Sequence, residues 1–171
     1  MIMYQGNYYQ LMAEYNRWMN QKIYVVCADI PDDKRKADLG AFFKSIHGTL
    51  NHILWADRIW LRRFTDEPFV VGKMGEDIYA DFEALRAERD TLDEFILGWA
   101  KNLHAEWLAG PYGFTSVQDG KTRRGPAWVF VTQLFNHQTH HRGQVTTLLK
   151  QLGFDPGVTD VPWLPGVVEI E

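Results

Sequence analysis

The sequence predicts an all-α protein, a four-helix bundle with long crossover connections and a short hairpin before the last helix. Four long segments carry apolar residues at the three- and four-residue spacing of an amphipathic helix. Almost no segment alternates as a strand does, and the chain contains no internal repeat. Its 171 residues fit one domain of ordinary size, so we expect a single bundle domain over residues 1–171.

The first predicted helix runs from Asn7, a residue type that caps helix N-termini, to about Ala28. The next segment, Asp29 to Lys36, contains Pro31 and several charged residues, which indicates a solvated connection. We therefore expect its basic run, Lys34-Arg35-Lys36, to lie on the surface.

The second and third predicted helices flank a crossover loop. The second runs from about Ala41 to Phe64, and its apolar stripe is interrupted by one acidic residue, Asp57. A proline and two glycines in Thr65 to Gly75 predict the crossover. The third helix follows from about Ile78 to Ala109, and the glycine and proline after it provide a stop signal.

A short hairpin is predicted within Tyr112 to Gly125, because Asp119-Gly120 is a turn-forming pair between two short extended runs. The fourth predicted helix begins near Pro126, a residue that favours the first turn, and continues to about Leu152 before Gly153. The remaining residues contain three prolines, so we expect an irregular tail.

The composition of the chain limits the cellular compartment and the binding partners that we expect. Eighteen Lys and Arg against 22 Asp and Glu give a formal charge of −4, which offers no general attraction to nucleic acid. The two basic runs, Lys34 to Lys36 and Lys121 to Arg124, both fall in predicted loops. No apolar run approaches the roughly 18 residues of a membrane-spanning helix, and no secretory signal is visible. We expect a cytoplasmic protein that does not bind membranes.

Two further residue types shape these expectations. The single cysteine, Cys27, excludes an intramolecular disulfide and a cysteine-rich zinc motif, and we interpret it as a small buried apolar residue. Aromatic residues make up 14% of the chain and mainly predict core and interface contacts. Three of them on the first helix, Tyr8, Tyr15 and Trp18, could face a second subunit, so we expect a homodimer.

Three of the six histidines lie in a five-residue stretch of the fourth predicted helix. His137 and His141 fall in the middle of its apolar stripe, whereas His140 lies about 100° away. Histidines at i and i+4 are one turn apart on the same face, close enough for two imidazole nitrogens to meet one metal ion. The alternative is two core histidines that hydrogen bond to neighbouring polar groups.

A catalytic zinc-type centre uses three protein ligands, so a third ligand must come from elsewhere in the bundle. His47, His52, His104 and Asp57 are candidates, and periodicity does not choose among them. Asp57 has an alternative role, an ion pair with an arginine of a facing helix. Gln144, near the edge of the stripe, either supports a ligand or packs between helices.

Several familiar catalytic motifs are absent. Gln138 occupies the position where a zincin protease motif has its general-base glutamate. The sequence also lacks a Gly-x-Ser-x-Gly nucleophile motif and the glycine patterns of phosphate and dinucleotide sites. The sequence is therefore not that of a zincin protease, and it does not support Ser-His-Asp chemistry or a phosphate or dinucleotide site of these types.

Two segments, GTLNHILWADRIW at residues 48–60 and FNHQTHHRGQ at residues 135–144, closely resemble the DinB/YfiT-like superfamily. The LRAERD stretch at residues 85–90 and the order of the segments are also similar to that family. The family name refers to induction of its founding member by DNA damage and is unrelated to the translesion polymerase of the same name. A DNA repair activity does not follow from it.

The resemblance implies a four-helix bundle in which three histidines hold a divalent metal ion. Carried over residue by residue, the metal ligands are His52, His137 and His141. Three imidazoles suit zinc or nickel best, and also iron or copper. Characterised relatives include thiol-dependent transferases and isomerases, so the resemblance also suggests a low-molecular-weight thiol as cosubstrate.

The sequence thus leads to two hypotheses about function. In the first, a metal with an open coordination position activates a water or a thiol, as in a metal-dependent hydrolase or transferase. Asp57 is then a catalytic candidate that orients a ligand or shuttles a proton. In the second, the protein is a non-catalytic metal- or ligand-binding bundle whose ion ties two helices together.

Overall fold

Four long helices form the body of the protein, which confirms the predicted all-α class. The structure is a computed structural model, and it describes residues 4–116 and 119–169. The long helices are α1 (Tyr4–Ala28), α3 (Ile46–Phe64), α4 (Phe82–Lys101) and α6 (Ala127–Gln151). The shorter elements are helices α2 (Asp32–Lys36) and α5 (Ala105–Ala109), strands β1 (Pro111–Thr115) and β2 (Thr122–Pro126), and a 3-10 turn (Val161–Trp163).

The helices pack in two main pairs, α1 on α4 and α3 on α6, with α1 also contacting α6. Aliphatic side chains from all four, including Ile23, Leu54, Leu92 and Leu134, are buried between them. Cys27 lies in this core, as expected from the sequence. Among the described residues, no helix has the length and apolar character needed to cross a membrane.

Side-chain caps set the true starts of α3 and α4, both later than the sequence predicted. The Ser45 hydroxyl accepts a hydrogen bond from the Gly48 amide, so α3 begins at Ile46 instead of near Ala41. Asp81 accepts from the Ala84 amide in the same way, so α4 begins at Phe82. A cap fixes the first turn locally, whereas apolar periodicity continues into the preceding loop.

Other boundaries also differ from the sequence prediction. Asn7 lies inside α1, which begins at Tyr4, and so does not cap it. The third predicted helix is interrupted after Lys101, where the Asn102 side-chain amide donates to the Gly98 carbonyl. Residues 105–109 form the separate helix α5. Competing side-chain hydrogen bonds of this kind commonly end helices.

The predicted solvated connection contains a helix, α2, and one buried cation. Arg35 donates to the carbonyls of Cys27 and Ile30, at 2.6 and 3.0 Å, and its guanidinium lies 3.8 Å from the centroid of the Phe82 ring. It thereby covers the C-terminal end of α1. The prediction that the whole basic run lies on the surface is wrong for Arg35, whereas Lys34 and Lys36 are exposed.

The hairpin before the last helix is confirmed. Strands β1 and β2 pair antiparallel, with Phe114 opposite Arg123, and Gly120 has the positive φ of +67° that its turn requires. Residues 117 and 118 lie outside the described part of the chain. Beyond α6 the chain is largely irregular, as predicted, and the Tyr15 hydroxyl donates to the Thr159 carbonyl in this tail.

Candidate metal centre

Three histidine side chains converge between α3 and α6. The Nε2 atom of His137 lies 3.2 Å from Nε2 of His52 and 3.1 Å from Nε2 of His141. The ligand atoms of all three lie within 4.8 Å of one another. The structure therefore brings together the three histidines named from the sequence, in a cluster that is compatible with metal binding.

Two of the three separations between these nitrogens fit ligation of a single ion. Zinc binds imidazole nitrogen at about 2.0–2.1 Å, so two ligands are about 2.9 Å apart at a right angle and about 3.4 Å apart at the tetrahedral angle. The two observed separations, 3.2 and 3.1 Å, fall between these limits. The donor set itself, three imidazoles, is one that zinc, nickel, iron and copper all accept.

Hydrogen bonding within the cluster leaves a place for a cation. The Nδ1 atom of His141 lies 2.7 Å from the Gln144 amide oxygen, which can only accept, so Nδ1 carries the proton and Nε2 offers a lone pair. A single nitrogen, Nε2 of His137, faces both other rings and can form one good hydrogen bond with them. One of the two close N···N contacts of His137 therefore has no hydrogen bond. A cation among the three nitrogens would remove the repulsion between their lone pairs.

Burial keeps these rings neutral. Desolvation, with a smaller contribution from the neighbouring histidines, lowers the pKa of His52 to about 3 and that of His137 to about 4. Desolvation also lowers the pKa of His141, although its hydrogen bond to Gln144 opposes the shift. Neutral imidazoles are the form that ligates metals, so the ligands require no deprotonation at neutral pH.

Aromatic packing fixes the orientation of His52. The Phe43 ring stacks on it with centroids 3.7 Å apart, and Trp55 also stacks on it at 5.7 Å. Phe43 comes from the segment before α3, which approaches the helix at Gly48. A Cβ at Gly48 would lie 2.4 Å from the Phe43 carbonyl oxygen, so this close approach requires glycine. Phe43 was not predicted as a site residue from the sequence, because its position depends on this contact between loop and helix.

Asp57 lies in the core, where it is paired with an arginine of a facing helix. Its Oδ2 accepts from Arg89 at 2.5 Å, and Arg89 also lies 2.9 Å from Asp93. Two asparagines of α1, Asn16 and Asn20, donate to Asp93. Burial raises the pKa of the Asp57 carboxyl, and Arg89 partly offsets this effect. The structure does not bring Asp57 into the group of three histidines.

The remaining histidines have other surroundings. His47 is buried, with Nε2 2.8 Å from the Tyr79 carbonyl oxygen. His104 immediately precedes α5. His140 is exposed on α6. Its ring lies edge-to-face against that of His141, with centroids 4.8 Å apart, and its Nε2 lies 3.3 Å from the Gln144 amide nitrogen. None of these three belongs to the group described above.

A cavity of about 920 Å³ adjoins the cluster, and both His52 and His137 line it. Its walls come from one face of α3, the loop at residues 71–74, both strands and α6. The other main lining side chains are aromatic, aliphatic or cationic: Trp55, Ala56, Ile59, Trp60, Arg63, Lys73, Met74, Phe114, Arg123, Val129 and Phe130. This cavity was not predicted from the sequence, because its walls are distant from one another along the chain.

Comparison with known proteins supports the same family. The chain is 25% identical over 159 residues to Protein DinB of Bacillus subtilis strain 168. The matched region covers 87% of this chain and 88% of that protein. Its fold is similar to the crystal structure of a DinB-like protein from Bacillus cereus ATCC 10987, with a TM-score of 0.61 and 19% identity. That match covers 88% of this chain and 91% of the other. The DinB family model matches residues 3–169, and this protein therefore belongs to the DinB family.

Proposed function

We propose that His52, His137 and His141 bind one divalent metal ion, and that the protein is a metal-dependent enzyme of the thiol-dependent transferase or hydrolase type. The observation that carries this proposal is the convergence of three neutral imidazole nitrogens beside a large cavity. Within residues 4–116 and 119–169, no fourth histidine, cysteine or carboxylate joins the group. Three protein ligands with an open position are typical of catalytic sites, whereas structural sites have four.

Each neighbouring side chain has a role in this proposal. Gln144 holds the tautomer of His141 that directs Nε2 toward the ion, and the stacked rings of Phe43 and Trp55 hold His52 in place. A bound divalent ion would supply a Lewis acid that lowers the pKa of a water or thiol at its open position. The aromatic and aliphatic side chains of the cavity would limit the access of bulk water to this position.

The size of the cavity favours a reaction between two small molecules. Its volume, about 920 Å³, is at the upper end of the range of roughly 300–1,000 Å³ for small-molecule sites. A low-molecular-weight thiol and a second reactant could occupy it together. In the transfer reaction, the thiol would lose its proton to solvent water, its sulfur would bond to an electrophilic carbon, and the leaving group would depart from that carbon with the bonding electrons.

Metal content is the first test. Protein purified without a histidine tag should contain close to one equivalent of metal, with zinc or nickel most suited to the ligands. The variants His52→Ala and His137→Ala should lose it. The control is His104→Ala, which removes an exposed histidine outside the cluster and should keep the metal. Absence of metal from the wild type, after zinc and nickel have been offered, would refute the proposal.

Turnover then separates the enzyme from a binding protein. The loaded protein is assayed with a panel of low-molecular-weight thiols and 1-chloro-2,4-dinitrobenzene, and with 4-nitrophenyl acetate for hydrolysis. Activity that is lost in His137→Ala supports an enzyme. Activity retained in that variant would contradict the proposed mechanism, and tight metal binding without either activity would favour the non-catalytic alternative.

We also propose a homodimer, as expected from the aromatic residues of α1. Of the three residues considered, Tyr15 is buried and hydrogen bonded within the chain, so it does not contribute to such an interface. Tyr8 is 46% exposed and Trp18 is half-buried, and they support the proposal. Light scattering coupled to size-exclusion chromatography measures the mass directly, and a monomeric mass at micromolar concentration would refute it.

A further inference from the structure

One face of α3 connects the metal centre to a cation at the other end of the cavity. His52, Ala56, Ile59 and Arg63 follow one another at helical spacing, and all four line the cavity. Arg63 follows His52 by eleven residues. It therefore lies about 20° from His52 around the helix and about 16 Å along its axis. Helical side chains lean toward the N-terminus, which brings the guanidinium closer to the histidines than its backbone is.

Arg63 is held in the cavity wall by two aromatic rings. Its guanidinium carbon lies 4.1 Å from the centroid of Phe114 and 4.9 Å from that of Trp60. Contacts with ring faces engage the plane of the guanidinium, and they leave its N–H groups available at the edge. That edge is the geometry with which arginine binds carboxylate or phosphate in a bidentate manner.

Within the described ranges, 4–116 and 119–169, no carboxylate oxygen lies within 4 Å of the Arg63 guanidinium. The other two cations of the cavity differ from it. Arg123 is paired with Asp119 at 2.7 Å, and the Lys73 side chain is 87% exposed and lies 3.8 Å from Glu76. No Asp or Glu is among the described residues that line the cavity. Arg63 is thus the cation of this wall whose charge is not balanced by a protein group.

Another buried arginine of α3, Arg58, differs from Arg63 because a carboxylate balances its charge. Arg58 contacts Glu88 at 2.6 Å, and although burial opposes its charge, the contacts with Glu88 and Tyr79 raise its pKa overall. Burial lowers the pKa of Arg63, which has only a small opposing contribution from Tyr112. An anion from solution would restore the balance that a carboxylate provides at Arg58.

We propose that the cavity binds small amphipathic anions, with a carboxylate or phosphate held by Arg63 and an apolar body along Ile59 and Trp60. The other end of such a molecule reaches His52 and His137. This inference rests on the proposed function for what happens at that end, and it names the class of substrate. The anion site itself requires only the cavity wall and no metal.

The test uses two matched fluorescent dyes. The first, 8-anilino-1-naphthalenesulfonate, carries an oxyanion, and the second, N-phenyl-1-naphthylamine, is the same skeleton without it. Both are titrated into the wild type, Arg63→Gln and the control Arg62→Gln, with and without zinc. Arg62 is the exposed neighbour on the same helix and does not line the cavity.

We expect Arg63→Gln to weaken binding of the anionic dye at least about tenfold, as for loss of a charge-assisted hydrogen bond. Binding of the neutral dye should change less than about twofold, and Arg62→Gln should resemble the wild type. Competition by 4-phenylbutyrate and by phenyl phosphate shows which oxyanion the site prefers. At least one of these two competitors should displace the bound anionic dye.

Four results would overturn the proposal. These are equal binding of the anionic dye by the wild type and Arg63→Gln, an equal loss of both dyes in Arg63→Gln, binding of neither dye by the wild type, and displacement by neither competitor. An equal loss of both dyes would mean that Arg63 only packs the wall. Because the titrations are also run without zinc, they remain informative if the protein proves not to bind metal.

Discussion

Loss of the Asp57 carboxylate should destabilise the fold by several kcal/mol because it leaves Arg89 incompletely paired in the core, and Asp57→Asn tests this. The two side chains approach to 2.5 Å, and each is only 1% exposed. With charge centres about 4 Å apart and an effective dielectric constant of about 20, their attraction is about 4 kcal/mol. Removal of the carboxylate leaves the buried Arg89 guanidinium with one carboxylate partner, Asp93, instead of two. We therefore expect Asp57→Asn to lower the free energy of unfolding by about 3–5 kcal/mol.

The assay is urea unfolding followed by circular dichroism at 222 nm, with metal content measured on the same samples. The control is Glu94→Gln, which breaks an exposed pair with Arg17 at 2.8 Å and should cost no more than about 1 kcal/mol. The metal content of Asp57→Asn should match the wild type, because Asp57 lies outside the histidine group. A loss below about 1 kcal/mol would refute this account of the pair. A loss of metal without a loss of stability would instead indicate that Asp57 contributes to metal binding.

Two further predictions concern individual side chains. Gln144→Leu removes the acceptor that holds the His141 proton on Nδ1, so zinc affinity measured by chelator competition should fall about 10–100-fold, and an unchanged affinity would contradict this role. His47 has a pKa lowered mainly by burial, whereas in the unfolded chain its pKa is about 6.5. As pH falls below that value the unfolded state gains a proton that the folded state does not, and the free energy of unfolding decreases. Between pH 7 and 5 the decrease, measured by urea unfolding without metal, should be smaller in His47→Gln than in the wild type, and equal slopes would show that His47 does not contribute.

The sequence predicted the parts of the site that depend on local spacing. His137 and His141 lie one turn apart in a regular helix, so their common face follows from the periodicity alone. The third histidine of the cluster, His52, could not be selected by local spacing. His47 and His52 are both buried, because α3 packs on more than one side, and only the resemblance to a known family selected His52.

Other features depend on contacts between distant segments, which periodicity does not report. The role of Phe43 follows from a loop that crosses α3 at Gly48, and the role of Arg35 from its reach to the end of α1. The cavity forms only when α3, the hairpin, α6 and the loop at residues 71–74 come together. Asp57 shows the same limit, since its helical position was clear from the sequence while its partner, Arg89, depended on the packing of α4.

The placement of His52 and Arg63 on one helix has a consequence for how the protein can diverge. A single inserted residue between them would rotate Arg63 by about 100° and remove it from the cavity. An insertion of a full turn would keep both residues on the same face and increase their separation by about 5 Å. The length of molecule that fits between them is therefore adjustable only in steps of one helical turn. If the cavity binds anions as proposed, gradual change in the size of the ligand must come instead from the loop and hairpin that form the opposite walls.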